Sequence, residues 1–169
     1  SDPSAINITL DPGLAIGTGS HPTTRLCLRW LDANIKGGET VLDYGCGSGI
    51  LTIAALKLSA ASAWGVDVDV QAVQASRDNA AANHVDAQFY LPQESPPQAV
   101  DVVIANILTN PLKILAPLLA NATRTGGQIV LSGILSTQAE DVMAIYGQWF
   151  NLDPPVTDEG WICLSGIKR

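Results

Sequence analysis

Along the chain, short continuous apolar runs alternate with longer stretches in which apolar side chains return at helical spacing. The short runs predict strands over 40–44, 63–66, 87–91, 100–105 and 128–131, with two more near 150–152 and 161–167. The helical stretches begin at Thr23, where Leu26, Trp30 and Leu31 share a face until Lys36-Gly37-Gly38, and recur over 50–58, 71–83, 111–122 and 137–146. Thr23 is expected to cap the first helix. Gly126-Gly127 is expected to break the chain, like a hairpin, ahead of the 128–131 strand. The last two strands flank Pro154-Pro155 and are expected to pair as an antiparallel hairpin with a long loop. Strands that are apolar throughout are covered on both faces. Their alternation with helices, joined by right-handed crossovers, predicts an α/β doubly wound three-layer sandwich. Its sheet should be seven-stranded and mostly parallel, ending in the antiparallel C-terminal pair. Residues 1–22 read as an N-terminal arm and motif loop, and residues 23–169 as one domain.

Composition narrows the class. The chain has 169 residues, 47% apolar and 15% charged, which fits one well-buried domain and excludes disorder. The longest apolar stretch, 50–66, is interrupted by Thr52, Lys57, Ser59 and Ser62, so it reads as a helix and a strand instead of a membrane span. No basic-then-apolar leader opens the sequence. The net charge is −7 and the nine basic residues are scattered, so no direct contact with nucleic acid is expected. An acidic surface suits a basic partner, or plain solubility. Cys27, Cys46 and Cys163 form no C-x-x-C pair, which predicts no metal site and a reduced, cytoplasmic compartment.

The chemistry concentrates in Val41-Leu42-Asp43-Tyr44-Gly45-Cys46-Gly47-Ser48-Gly49, which follows a predicted strand and opens a predicted helix. Glycines at alternate positions let the backbone turn tightly and leave no side chain between it and a ligand. Asp67 ends the next strand, 22 residues after Gly45, where a carboxylate can accept both hydroxyls of a ribose. Dinucleotide sites favour G-x-G-x-x-G, with a helix start aimed at pyrophosphate. Here the spacing is G-x-G-x-G, preceded by Asp43. An acid there suits a cationic amino-acid end, which S-adenosylmethionine carries and a dinucleotide does not.

The pattern D-x-G-x-G-x-G followed by Gly65-Val66-Asp67-Val68-Asp69 resembles class I methyltransferases. Three further segments resemble the ribosomal protein L11 methyltransferase family: the loop from Asp11 to Thr24 with its Gly17-Thr18-Gly19-Ser20-His21-Pro22-Thr23-Thr24 block, Asn106-Ile107-Leu108, and Leu131 to Glu140. The likeness runs from about Leu10 to the C-terminus. Ile16 departs from the family's usual Phe, and the loop before Val100 is short. The resemblance implies a Rossmann-like catalytic domain without the family's N-terminal substrate-recognition domain. It implies methyl transfer from S-adenosylmethionine to amino groups of a large-subunit ribosomal protein at the stalk base: lysine side chains and the N-terminal amine. A monomer away from membranes is expected.

The resemblance further implies Thr24, Gly45, Asp67 and Asn106 as cofactor contacts, with Gly47 beside them and Asp43 reaching the amino group directly or through water. Thr24 sits at a helix start, where its hydroxyl and neighbouring amides could hold the methionine carboxylate. Asn106, Ile107 and Leu108 follow a buried strand and could align the acceptor amine, whose lone pair backbone carbonyls around Asn106 and Leu108 would orient. His21 could hold substrate, accept a proton or organise its loop. No dedicated general base stands out. Gly17-Thr18-Gly19 could move as a lid over a pocket roomy enough for repeated methylation. Asp69 reads as a helix cap, His84 as solvated, Trp30 and Trp64 as core, and Trp161 as open between core and site. Three alternatives remain at this point: a methyltransferase for another substrate, a nicotinamide oxidoreductase, and a non-catalytic adenosyl-ligand module.

Overall fold

Parallel strands need helices over both faces, and the chain supplies them by alternating the two elements. The computed structural model describes residues 21–169. In order, the elements are α1 (Pro22–Asn34), β1 (Thr40–Tyr44), α2 (Ile50–Lys57), β2 (Ser62–Val66), α3 (Val70–Ala82), β3 (Gln88–Tyr90) and β4 (Val100–Asn106). They continue with α4 (Thr109–Ala122), β5 (Thr123–Leu135), α5 (Ala139–Tyr146), β6 (Phe150–Leu152), β7 (Val156–Asp158) and β8 (Trp161–Lys168). The sheet runs β3-β2-β1-β4-β5-β8-β6, parallel as far as β5 and antiparallel where β8 joins.

Side chains alternate across the sheet with the period of two that strands impose. On β4, Val103 and Ala105 enter the core beneath α4 and α5. Val102 and Ile104 enter the opposite core, beneath α1 and α2. A third, smaller cluster of Cys46, Ile53, Val73, Ala80 and Phe89 joins α2 and α3 behind the glycine turn. Among the described residues, no helix is long and apolar enough to cross a membrane.

Four local expectations are corrected. The seven-strand path is present, but the loop expected between 152 and 161 contains the short eighth strand β7, which pairs with β8. Glu159 (φ 51°) and Gly160 (φ 81°) are both left-handed, the combination that closes a two-residue hairpin. Second, the break expected at Gly126-Gly127 lies within β5, where the register to β4 shifts between Val100 and Val102. Third, α1 is capped by His21, not Thr23: the His21 ring accepts the Thr23 amide at 3.3 Å. Fourth, α5 starts at Ala139 after a single 3-10 turn at 136–138, because Gln138 Oε1 accepts the Leu135 amide and the Thr109 hydroxyl instead of facing solvent.

The topology places the functional crevice. The chain leaves β1 toward β2 and β3 on one side and returns with β4 on the other. The connections diverge at the carboxyl ends of β1 and β4, the switch point where open α/β sheets bind ligands.

Candidate functional site

One wall of that crevice is the glycine turn. Gly45, Gly47 and Gly49 have φ of 82°, 56° and 83°, left-handed values that explain why no other residue type stands there. The turn consumes most of its own donors. The Gly45 and Cys46 amides donate to the Val66 carbonyl at 2.7 and 2.9 Å, and the Gly49 amide donates to the Cys46 carbonyl at 2.8 Å. The Gly47 amide donates to Asp67 Oδ2 at 2.9 Å. Asp67 Oδ1 accepts the Asp69 amide at 2.9 Å, so the carboxylate is fixed against the turn. Asp69 itself caps α3 through the Gln71 amide, as its position after the strand suggests. A Cβ on Gly47 would meet nothing within 4 Å, so open space lies above the turn there.

Behind the turn lies Asp43, 1% exposed. Its Oδ2 accepts the Thr52 amide at 3.2 Å and the Thr52 hydroxyl at 2.8 Å. The N-terminus of α2 is therefore held by the protein's own carboxylate. Burial pushes the Asp43 carboxyl up to about 7, opposed by the Thr52 donors and reinforced by the charge of Asp67. Among the described residues no cation pairs with it. Ser48, in the turn, is also buried, and its hydroxyl meets no partner among the described residues.

The other wall follows β4. Asn106 Nδ2 lies 3.4 Å from the Thr24 hydroxyl, which joins the end of β4 to the start of α1. Thr24 is 1% exposed, buried between the two elements. The Ile107 side chain lies over Gly45, where its Cγ2 fills the space a Cβ would take. Its amide donates to the Ser132 carbonyl at 3.2 Å. Gly133 (φ 89°) completes this contact: a Cβ there would overlap the Ile107 carbonyl group. That close approach coincides with the register shift of β5 against β8 between Leu131 and Ile134. Leu108 stands before α4 with 67% of its surface exposed, at the mouth of the crevice.

His21 faces Trp161 edge-on, with ring centroids 5.6 Å apart. Its ring also bonds the Thr23 hydroxyl at 2.8 Å, so the imidazole organises the entrance to α1. Trp161 packs at the rim of the core beneath α1. Arg25 fastens the same corner: its Nε and Nη2 each donate to Asp158 at 3.1 Å, while Arg29 reaches Asp158 at 3.2 Å. Ser132 ties β5 to α1 through the Thr23 carbonyl at 2.9 Å. The residues expected from 11 to 20, including the Gly17-Thr18-Gly19 lid, lie outside the described residues.

Sequence reasoning brought together Asp67, Gly45, Gly47, Asp43, Asn106, Ile107, Thr24 and His21, but missed four supports. Thr52, Ser132 and the Arg25–Asp158 pair carry no periodic signal. Ser76 and Asn79 on α3 do: they are polar positions on the face that also carries Val73 and Ala80. A hollow of about 490 Å³ at the opposite edge of the sheet, lined in part by Lys36, Glu39, Asp101 and Arg124, is not this site. Its acids are already committed to backbone amides, Thr40 and Arg124.

The family model described as ribosomal protein L11 methyltransferase (PrmA) matches residues 1–169. The chain belongs to the ribosomal protein L11 methyltransferase family. A relative of that name from Thiobacillus denitrificans is 68% identical over 168 residues, covering 99% of this chain and 57% of the relative. One from Neisseria gonorrhoeae is 67% identical over 165 residues, covering 98% and 56%. The chain thus spans little more than half the length of these relatives. A solved structure described as ribosomal protein L11 methylase, from Lactobacillus delbrueckii subsp. bulgaricus, superposes with a TM-score of 0.84 at 32% identity, covering 96% of this chain and 84% of that one. The sheet order and switch point above are therefore those of the Rossmann-like class I methyltransferase fold.

The residues present suit the family's cofactor. A ligand with a sulfonium and an ammonium needs acceptors and negative field, not a row of amide donors. Among the described residues, the turn offers Asp67 at its edge, Asp43 behind it and open space above Gly47.

Proposed function

We propose that this chain is the catalytic domain of an enzyme that transfers methyl groups from S-adenosylmethionine to amino groups of ribosomal protein L11, lysine side chains and the N-terminal amine. One observation carries the choice of cofactor. The α2 N-terminus, where a dinucleotide fold receives pyrophosphate, is occupied by the buried Asp43 carboxylate. The neighbouring amides of Gly45, Cys46, Gly47 and Gly49 are spent internally. A pyrophosphate would meet a buried acid and few donors, whereas a cation would meet an uncompensated one.

When bound, S-adenosylmethionine supplies a methyl group already activated on a sulfonium. The chain's task is then alignment and exclusion of water. In this reading Asp67 accepts the ribose hydroxyls, and Gly45 and Gly47 present bare backbone beside it. Thr24 and Asn106 close the methionine end, and Asp43 contributes its field from behind the turn. The acceptor amine enters beside Ile107 and Leu108, with His21 ordering the rim. A free lysine has a pKa near 10.4, and burial beside a cation favours the neutral amine that the reaction requires. The proton leaves to water. The parts of the relatives lying beyond this stretch supply the grip on the ribosomal protein at the stalk base. The enzyme acts in the cytoplasm as a monomer, without touching nucleic acid.

Calorimetric titration with S-adenosylhomocysteine, with reduced nicotinamide dinucleotide as control, tests the cofactor. Binding of the first alone is expected, and binding of the second alone would overturn the reading. Mass spectrometry of purified L11 after incubation with S-adenosylmethionine tests the substrate, using a full-length relative as positive control.

A further inference from the structure

The glycine turn is held from the side of α3 as well as by Asp67. With left-handed residues at Gly47 and Gly49, the intervening peptide planes can rotate at little cost. Rotation would turn the Gly47 and Ser48 carbonyls away from α3 and withdraw the Gly49 amide from the Cys46 carbonyl. Two side chains of α3 oppose this. Ser76 Oγ donates to the Gly47 carbonyl at 2.9 Å, and Asn79 Nδ2 donates to the Ser48 carbonyl at 2.9 Å. Both are buried, at 0% and 2% exposure. They stand three residues apart on the one helical face that also packs Val73 and Ala80 against Phe89 and Cys46.

A buried hydroxyl and a buried carboxamide on an otherwise apolar face cost stability unless they bond something specific. Here each has a carbonyl of the turn among its partners, Gly47 for Ser76 and Ser48 for Asn79. α3 follows Asp69, which Asp67 holds by accepting its amide, so one short segment fixes the turn twice: by Asp67 on the ligand side and by α3 on the far side.

We infer that Ser76 and Asn79 are positioning residues for cofactor binding, locking the Gly47–Ser48 peptides so that the turn is formed before the ligand arrives. The inference rests on the reading above that this crevice holds the adenosyl cofactor. Preorganisation of this kind appears in affinity, because the ordering cost is met in folding and not in binding.

The test uses Ser76→Ala, which is close to isosteric, Asn79→Ala, and the double variant. Asn83→Ala serves as a control. Asn83 lies one turn further along the same face and donates to the Asn79 backbone carbonyl at 2.7 Å. The dissociation constant for S-adenosylhomocysteine should rise ~3-fold in Ser76→Ala and ~10-fold or more in the double variant, the scale of one and two buried hydrogen bonds. In turnover the same factor should appear in the KM for S-adenosylmethionine, with kcat within ~2-fold. Asn83→Ala should lower the unfolding midpoint and leave affinity unchanged. Hydrogen exchange of the ligand-free chain gives a readout independent of activity: the Gly49 amide, which donates to the Cys46 carbonyl, should exchange faster in the double variant, while those of β2 and β4 do not. Affinity within ~2-fold of the parent in folded Ser76→Ala and Asn79→Ala, or unchanged exchange at Gly49 in the double variant, overturns the inference. If the parent chain binds no S-adenosylhomocysteine, the functional reading fails, and the exchange experiment alone decides the clamp.

Discussion

Two aspartates on neighbouring strands each accept the amide and hydroxyl of one threonine, and they have opposite fates. Asp43 near the carboxyl end of β1 accepts the amide and hydroxyl of Thr52. Asp101 at the amino end of β4 accepts the amide and hydroxyl of Thr40, at 2.9 and 3.1 Å. Arg124 adds a charged partner and water reaches Asp101, and the hydrogen bond from Arg124 and those from Thr40 hold its carboxyl below the usual range. Among the described residues Asp43 has no cation, it is 1% exposed, and burial outweighs the two Thr52 donors. The amino edge of the sheet is electrostatically finished, whereas the carboxyl edge keeps an acid whose charge is unpaid among the described residues.

The largest expected effect is the pH dependence of stability in the ligand-free chain. A carboxyl raised from 3.8 to about 7 keeps its proton in the folded state where the unfolded chain has lost it. Its contribution is present in full below pH ~4 and disappears as pH rises through about 7, at about 1.36 kcal/mol per pH unit, of order 4 kcal/mol in all. Asp101 has the opposite sign, contributing above its unfolded pKa and losing that contribution as pH falls through its lowered value. Urea titrations from pH 4 to 8 should show the first slope, and Asp43→Asn should flatten it. An unchanged slope in Asp43→Asn would remove the contrast between the two edges.

Next in size is Asp67→Ala. It should weaken S-adenosylhomocysteine by at least ~1.5 kcal/mol, the scale of a charged hydrogen bond, or ~10-fold by calorimetry. Asp101→Ala should leave that affinity untouched. Equal losses in the two variants would mean that the crevice is not where the ligand sits.

How far the sequence foretold this contrast depends on distance along the chain. Asp67 and the three glycines were legible because strand, turn and helix N-terminus lie within one short segment whose spacing is itself the signal. The strands at 40–44 and 100–105 were legible because they are apolar throughout. β7 was not, since Val156-Thr157-Asp158 are mostly exposed and follow two prolines, although Glu159-Gly160 carried the turn signal. The fate of Asp43 was half legible: its position was plain, but Thr52 as its partner and the depth of its burial emerge only when α2 folds back over β1. Arg25 with Asp158 is a pair 133 residues apart with no rhythm to betray it. Ile107 over Gly45 and Gly133 under Ile107 are close approaches that depend on the β5 register shift, which no local pattern encodes.

A smaller effect sharpens the comparison from the ligand side. A cation beside Asp43 lowers its carboxyl, so binding should release a proton on the acid side of about 7. S-adenosylmethionine affinity should therefore rise between pH 6 and 8, by up to ~1 kcal/mol if the sulfonium is partly screened. S-adenosylhomocysteine, whose sulfur is uncharged, should rise less. Parallel pH profiles for the two ligands would show that Asp43 does not sense the sulfonium.

The smallest expected effect is at the amino edge, and its smallness is the point. Arg124 is 53% exposed along its side chain and Asp101 28%, so their ion pair works largely through water. Exposed pairs of this kind contribute ~0–1 kcal/mol and weaken further in salt. Arg124→Ala should lower stability by no more than ~1 kcal/mol at pH 7, with the loss shrinking at 0.5 M salt and cofactor affinity unchanged. Asp101 still keeps the amide and hydroxyl of Thr40 in that variant, the same kinds of donor that, from Thr52, fail to hold Asp43 in its charged form. A large, salt-independent loss would mean that Arg124 does for Asp101 what nothing described does for Asp43. The difference between the edges would then lie in the missing cation more than in burial.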